Sequence, residues 1–294
     1  MRVAPPLAAF AVATLGIAVF SAMDAVMKGL VIALGAYTTM FWRSLAGTAI
    51  SGALYAAGRG GRPTHAAMRV HLVRGAVTTV MAVTFFWGLA RVPMAQAIAL
   101  AFIAPLIALF LAAVLLKERV GRTAILASLM ALAGVAIILT GQARLRMGPD
   151  AFEGALAILF SAICYAYNII LMRRQALIAG PVEIAFFQSL IVAALLAAGA
   201  WWFAEVPALR HAPALIGAAV LATLSLLLLS WAYARGEASY LAPTEYTGFL
   251  WAALFGFVVF GERVSPYTLA GAALIIAGCI IAARRRGSIT EAAI

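Results

Sequence analysis

The chain repeats itself after 144 residues. Trp87-Gly88-Leu89-Ala90-Arg91 returns as Trp231-Ala232-Tyr233-Ala234-Arg235. The same offset carries Lys117-Glu118-Arg119-Val120 onto Gly261-Glu262-Arg263-Val264, and Ala133-Gly134 onto Ala277-Gly278. One step out of register, Phe41-Trp42-Arg43-Ser44-Leu45 matches Phe186-Phe187-Gln188-Ser189-Leu190. The spacing from motif arginine to motif glutamate is 27 residues in both copies. Each copy reads as five apolar helices. An odd number of crossings forces the second copy to enter a membrane from the opposite face. Inverted repeats of this kind build secondary transporters around a central site.

Composition restricts the chain to lipid. Hydrophobic residues make up 66% of it, charged residues 11%, and the mean hydropathy is +1.06. A span needs about 20 apolar residues, so ten spans use roughly 200 of the 294 and leave no room for a soluble catalytic domain. The spacing predicts spans near 7–29, 36–57, 71–91, 94–116, 122–141, 151–172, 183–204, 212–234, 238–260 and 267–283. The fold class is therefore all-α integral membrane, ten transmembrane helices in two inverted five-helix repeats around a central cavity. The repeats divide at 1–145 and 146–294. The first apolar stretch continues through Met27 without a cleavage site and reads as a retained span.

The net charge of +11 suggests nucleic acid only in a soluble protein. Here the basic residues follow loop position. Fourteen fall on the side of the N-terminus and six on the other, which places both termini in the cytoplasm. Cys164 and Cys279 lie in apolar segments, and His65, His71 and His211 lie in or beside loops without ligand spacing, so no metal site is expected. No nucleotide-binding run, HExxH or GxSxG occurs, so no cofactor and no enzyme activity is expected.

Ten spans in two halves resemble the EamA family of the drug/metabolite transporter superfamily. The carriers of the resemblance are Lys117-Glu118-Arg119, Gly261-Glu262-Arg263, Arg43 early in the second span and Pro105 within the fourth. The resemblance implies carriage of small metabolites across a bacterial-type inner membrane. Within the family the nearest likeness is to YddG-like exporters of aromatic and other neutral amino acids. Export of cationic drugs or other metabolites is the alternative on the same fold. An intramembrane enzyme or a receptor is the alternative of another class.

Ionisable groups inside a bilayer face a partner or a wet cavity. Asp24 and Arg43 sit at similar depth on a predicted hairpin, with Lys28 one turn beyond Asp24. Two readings stand: an ion pair, Asp24–Arg43 or Asp24–Lys28, that locks the first two spans, or a polar wall that meets an amino acid's ammonium and carboxylate. The repeat places Asn168 opposite Asp24 and Gln188 opposite Arg43, so the second copy drops the charges. Glu245 is a proton or ammonium candidate, or a carboxylate that reaches the interface or Arg235. Pro105 and Pro243 are expected to kink their helices and serve as gates, or to make static bends. Thr79, Thr84, Tyr165, Asn168, Ser230, Trp231 and Tyr246 complete the candidate lining, with Trp231 also suited to interfacial anchoring. Small residues at Ala131, Gly134, Gly271 and Gly278 make spans five and ten a scaffold and a possible homo-oligomer contact.

Overall fold

The computed structural model describes residues 6–58, 61–104, 106–108, 111, 122–144, 148–176, 178–233, 235 and 238–290. Among them the regular structure is helical. We number the helices α1 (Pro6–Leu34), α2 (Ala36–Ala57), α3 (His65–Leu89), α4 (Met94–Ala101), α5 (Arg122–Arg144), α6 (Pro149–Ala176), α7 (Pro181–Phe203), α8 (Ala212–Tyr233), α9 (Ala238–Phe260) and α10 (Pro266–Thr290). Five segments are long and apolar enough to cross a membrane: Leu7–Leu34, His65–Leu89, Pro149–Met172, Pro181–Phe203 and Leu209–Leu229. Shorter apolar helices cover Met94–Ala108, Leu129–Gly141, Thr244–Phe260 and Pro266–Gly278.

The helices are apolar on most of their circumference. Leu15, Phe20, Val80, Phe160, Leu195, Leu250 and Phe257 point outward, which only lipid makes tolerable. Trp201, Trp202 and Phe203 form an exposed aromatic end to α7, the placement favoured at a headgroup layer. The chain is a multi-pass integral membrane protein.

Packing joins the two halves. Each long contact pairs a helix of the first half with one of the second: α1 with α8 and α9, α2 with α7 and α8, α3 with α6 and α7, α4 with α9, and α5 with α10. Within α1 and α8, Ser225 Oγ donates to the Gly16 carbonyl at 2.9 Å, and Ala9, Ala13 and Ala232 close the near end, the one that holds the start of α1. Ser161 Oγ of α6 donates likewise to the Met81 carbonyl of α3 at 2.8 Å. Gly35 turns α1 into α2 at the far end. Its φ of 77° lies in the left-handed region, which glycine enters without strain.

α5 and α10 touch backbone to backbone. A Cβ on Gly134 would stand 2.6 Å from the Gly271 carbonyl and 2.8 Å from Ile275 Cγ1. The small-residue faces that suggested a subunit contact are thus filled by each other. Gly134→Ala is expected to force the helices apart and cost about 2 kcal/mol, the range of overpacked cores. An unchanged unfolding midpoint in detergent would contradict that.

The bounds of α2 and α9 match the expected 36–57 and 238–260. α3 differs: it begins at His65, six residues before the expected start at 71, so His71 lies in the second turn of the helix and not at its edge. α4 loses α-helical form at Phe102 and Ile103. Ile103 N–H bonds back to Leu100 O at 3.3 Å and Leu106 N–H to Ile103 O at 3.1 Å, a tightened turn. Pro105 lies outside the described residues. α9 is helical from Ala238 through position 243, so its start is not broken at Pro243, whose side chain lies outside the described residues.

Candidate functional site

Polar side chains inside the bundle fall into three groups. The first is at mid-depth. Asp24 is 1% exposed, and neither carboxylate oxygen accepts a hydrogen bond. Arg43 stands near enough to act on it electrostatically, but the two form no ion pair. Arg43 Nη1 reaches Met23 Sδ at 3.8 Å, while its Nε is buried without a partner. Both ends of the Gln188 amide, the Arg43 counterpart on α7, are also buried and unbonded. Unmade bonds of this kind cost about 1–3 kcal/mol each, so each marks a place where something else supplies a partner.

The expected Asp24–Lys28 pair is not formed. Lys28 turns to the far end, where it makes the second group. Its ammonium donates to Glu262 and to the Val92 carbonyl, the latter at 2.6 Å. It also lies 5.2 Å from the centre of the Phe260 ring. Glu262 Oε2 in turn accepts from the Met94 backbone N–H at 2.7 Å. That amide is the first of α4, where unpaired N–H groups favour negative charge. One carboxylate thus joins the ends of α1, α4 and α9. Sequence reasoning singled out Glu262 only as a repeat motif; a lysine inside an apolar stretch was the signal that a carboxylate must reach it.

The third group lies toward the near end, between α3, α6 and α7. Arg74 donates from Nε to Asn168 Oδ1 at 3.1 Å and from Nη1 to Gln175 Oε1. Gln175 contacts His71, and His71 contacts Glu183. Asn168 is therefore buried and engaged, its Nδ2 3.9 Å from Met81 Sδ. Tyr165, one turn before it, is within electrostatic reach of both Arg74 and Glu245. The residue is 36% exposed. Glu245 is exposed, and its neighbour Tyr246 meets Phe102 edge to face at 5.6 Å.

The remaining candidates are held locally. Thr79 and Thr84 donate to carbonyls of their own helix, Gly75 and Val80, at 2.8 Å. Trp231 carries Arg235 over its ring at 4.4 Å, and Arg235 Nη1 donates to the Trp231 carbonyl at 3.3 Å. Trp87 and Arg91 repeat this cap at 3.4 and 2.9 Å. The WxxAR motif is accounted for in both copies as a helix-end closure. The Ser230 side chain lies outside the described residues.

A separate apolar groove of about 480 Å³ lies between α1, the start of α8 and the end of α9, lined by Val26, Leu30, Phe255 and Phe260 among others. Among the described residues no three His, Cys, Asp or Glu come together as a metal site.

Comparison with known proteins fits a carrier. The pseudopaline exporter CntI of Pseudomonas aeruginosa is 28% identical over 91% of this chain and 93% of its own. The S-adenosylmethionine uptake transporter of Rickettsia bellii is 25% identical over 70% of this chain and 69% of its own. A crystal structure of a protein 22% identical superposes with a TM-score of 0.62 over 95% of this chain and 98% of its own, a likeness of fold. The pattern of the EamA-like transporter family matches twice, over residues 7–140 and 152–284. The chain therefore belongs to the EamA-like transporter family, and the relatives point to a transporter and not to an enzyme.

Proposed function

We propose that the chain exports amino acids, aromatic and other neutral ones, across an inner membrane by alternating access between two inverted repeats, 1–145 and 146–294. The observation that carries the substrate reading is the buried, unbonded atoms of three side chains: both carboxylate oxygens of Asp24, Nε of Arg43 and both ends of the Gln188 amide. A zwitterion would supply an ammonium to the first and a carboxylate to the other two. Tyr165, Tyr246 and Phe102 offer ring surface for an aromatic side chain. S-adenosylmethionine, the cargo named for one relative, ends in an α-amino-acid head of this chemistry.

Inversion has its own support. α2 and α7 are repeat mates and meet head to tail: Thr38 contacts Phe203, Gly47 meets Ser189 and Gly52 meets Phe186. α4 and α9 do the same, from Met94 beside Gly256 to Phe102 beside Tyr246. Ser225 bound to Gly16 and Ser161 bound to Met81 fall at equivalent positions to within one residue. With Arg74 and Lys28 set aside because both are engaged inside the bundle, the basic residues still divide thirteen to five in favour of cytoplasmic termini. A homo-oligomer through α5 and α10 would use the outward Leu126, Leu129 and Leu132.

The test is counterflow of labelled phenylalanine into proteoliposomes preloaded with unlabelled amino acids at matched pH. Saturable accumulation, blocked by excess neutral amino acids, is expected. Accumulation no greater than in empty liposomes, with the protein folded, would overturn the amino-acid reading. Accumulation of lipophilic cations instead would assign Asp24 to the alternative substrate class.

A further inference from the structure

Arg74, Gln175, His71 and Glu183 stand in one line across α3, α6 and α7. Gln175 Nε2 meets His71 Nδ1 at 2.5 Å, and His71 Nε2 meets Glu183 Oε1 at 3.0 Å. The chemistry of the first member fixes every direction after it. A guanidinium only donates, so Gln175 must show Arg74 its oxygen and His71 its N–H. His71 Nδ1 then accepts, and Nε2 keeps the hydrogen and donates it to Glu183. His71 is thus neutral in this arrangement. It is also enclosed, 1% exposed and stacked on Phe187 at 4.9 Å between ring centres.

We propose that His71 is a proton-binding site that decides whether Arg74 is tied to Gln175, and so couples a proton at the near end to the freedom of the Arg74 side chain. A proton on Nδ1 turns both ring nitrogens into donors. Gln175 must then rotate its amide to show His71 the oxygen. That rotation turns its NH2 group onto Arg74, donor against donor, and the Nη1 arm leaves. Arg74 stays anchored to Asn168 through Nε. Its released arm stays within electrostatic reach of Tyr165, which is itself within electrostatic reach of Glu245. The proton comes from water at the near end and returns there when Gln175 turns back. The charged and titratable groups around His71 are Glu183 of α7, Arg74 of its own helix, and Tyr55 of α2, which stacks on Phe186 and acts on Glu183. Gln175, from α6, is neutral. Glu183 offsets the added charge, so the site holds a proton without stranding one in lipid.

The inference rests on the transport reading for its consequence but not for its first test. Histidine-selective nitrogen-15 NMR of the full chain in nanodiscs should show one buried imidazole gaining a proton at Nδ1 as the pH is lowered. That resonance should vanish in His71→Gln, with His65 and His211 unchanged. The second test is the pH profile of counterflow. Glutamine at 71 can accept from Gln175 and donate to Glu183 but cannot gain a proton. Wild-type flux is expected to vary by roughly tenfold across the same acidification and His71→Gln by less than about twofold. His71→Asn serves if the glutamine variant fails to fold. No protonation of Nδ1 in the NMR titration, or a wild-type pH profile in His71→Gln, overturns the proposal. Absence of phenylalanine flux in both proteins, with Nδ1 still titrating, fails the substrate reading and leaves the proton site standing.

Discussion

Asp24→Asn is expected to lower saturable phenylalanine counterflow about thirtyfold while raising the stability of the empty protein. The two effects share a cause. A substrate ammonium bound to a buried carboxylate makes a charge-assisted hydrogen bond worth about 2 kcal/mol, which is roughly thirtyfold in affinity. The empty protein carries the cost of that carboxylate, because both oxygens are buried without a donor. An amide is easier to bury, so the unfolding midpoint should rise. A structural ion pair gives the opposite signs. If Asp24 locked α1 to α2, asparagine would lower the midpoint and spare transport. Flux within about twofold of wild type would remove Asp24 from the binding set, whatever the stability.

Lys28→Met is expected to destabilise the chain by about 3 kcal/mol, the scale of a buried pair with one partner removed. It strands the Glu262 carboxylate and leaves the Val92 carbonyl without its donor. Replacing both members, Lys28→Met with Glu262→Met, should recover part of the loss, because no charge is then left unpaired. A coupling above about 1 kcal/mol in the double-mutant cycle is expected. Additive losses would mean that the two side chains act through separate neighbours. Recovery should remain partial, since Glu262 also holds the first amide of α4.

The repeat and the apolar periodicity made most of the helical layout legible in advance. Span edges were clearest where turns are short and apolar runs end abruptly, as at Gly35 and Gly261. They were obscured where a helix begins polar. His65 to Arg74 mixes histidine, arginine and alanine, so hydropathy alone starts α3 six residues late. At the very edge of the expected span, His71 and Arg74 look like the polar border of a loop, which hid their network. Their partners, Gln175 and Glu183, lie more than a hundred residues away. The Lys28–Glu262 contact spans 234 residues, and no local pattern encodes a pairing of that length. Asp24 and Arg43 could be placed at one depth by counting from the turn. Counting could not show that they would stop short of bonding each other.

The Lys28–Glu262 junction has a consequence for energetics across a charged membrane. Voltage does work of about 2.3 kcal/mol on each elementary charge carried through 100 mV. The junction holds one charge of each sign, both fixed to helices that end together. Carried together along the field, the joined pair displaces no net charge across the bilayer. While the junction is joined, the resting potential of a cell therefore exerts no net pull on this end.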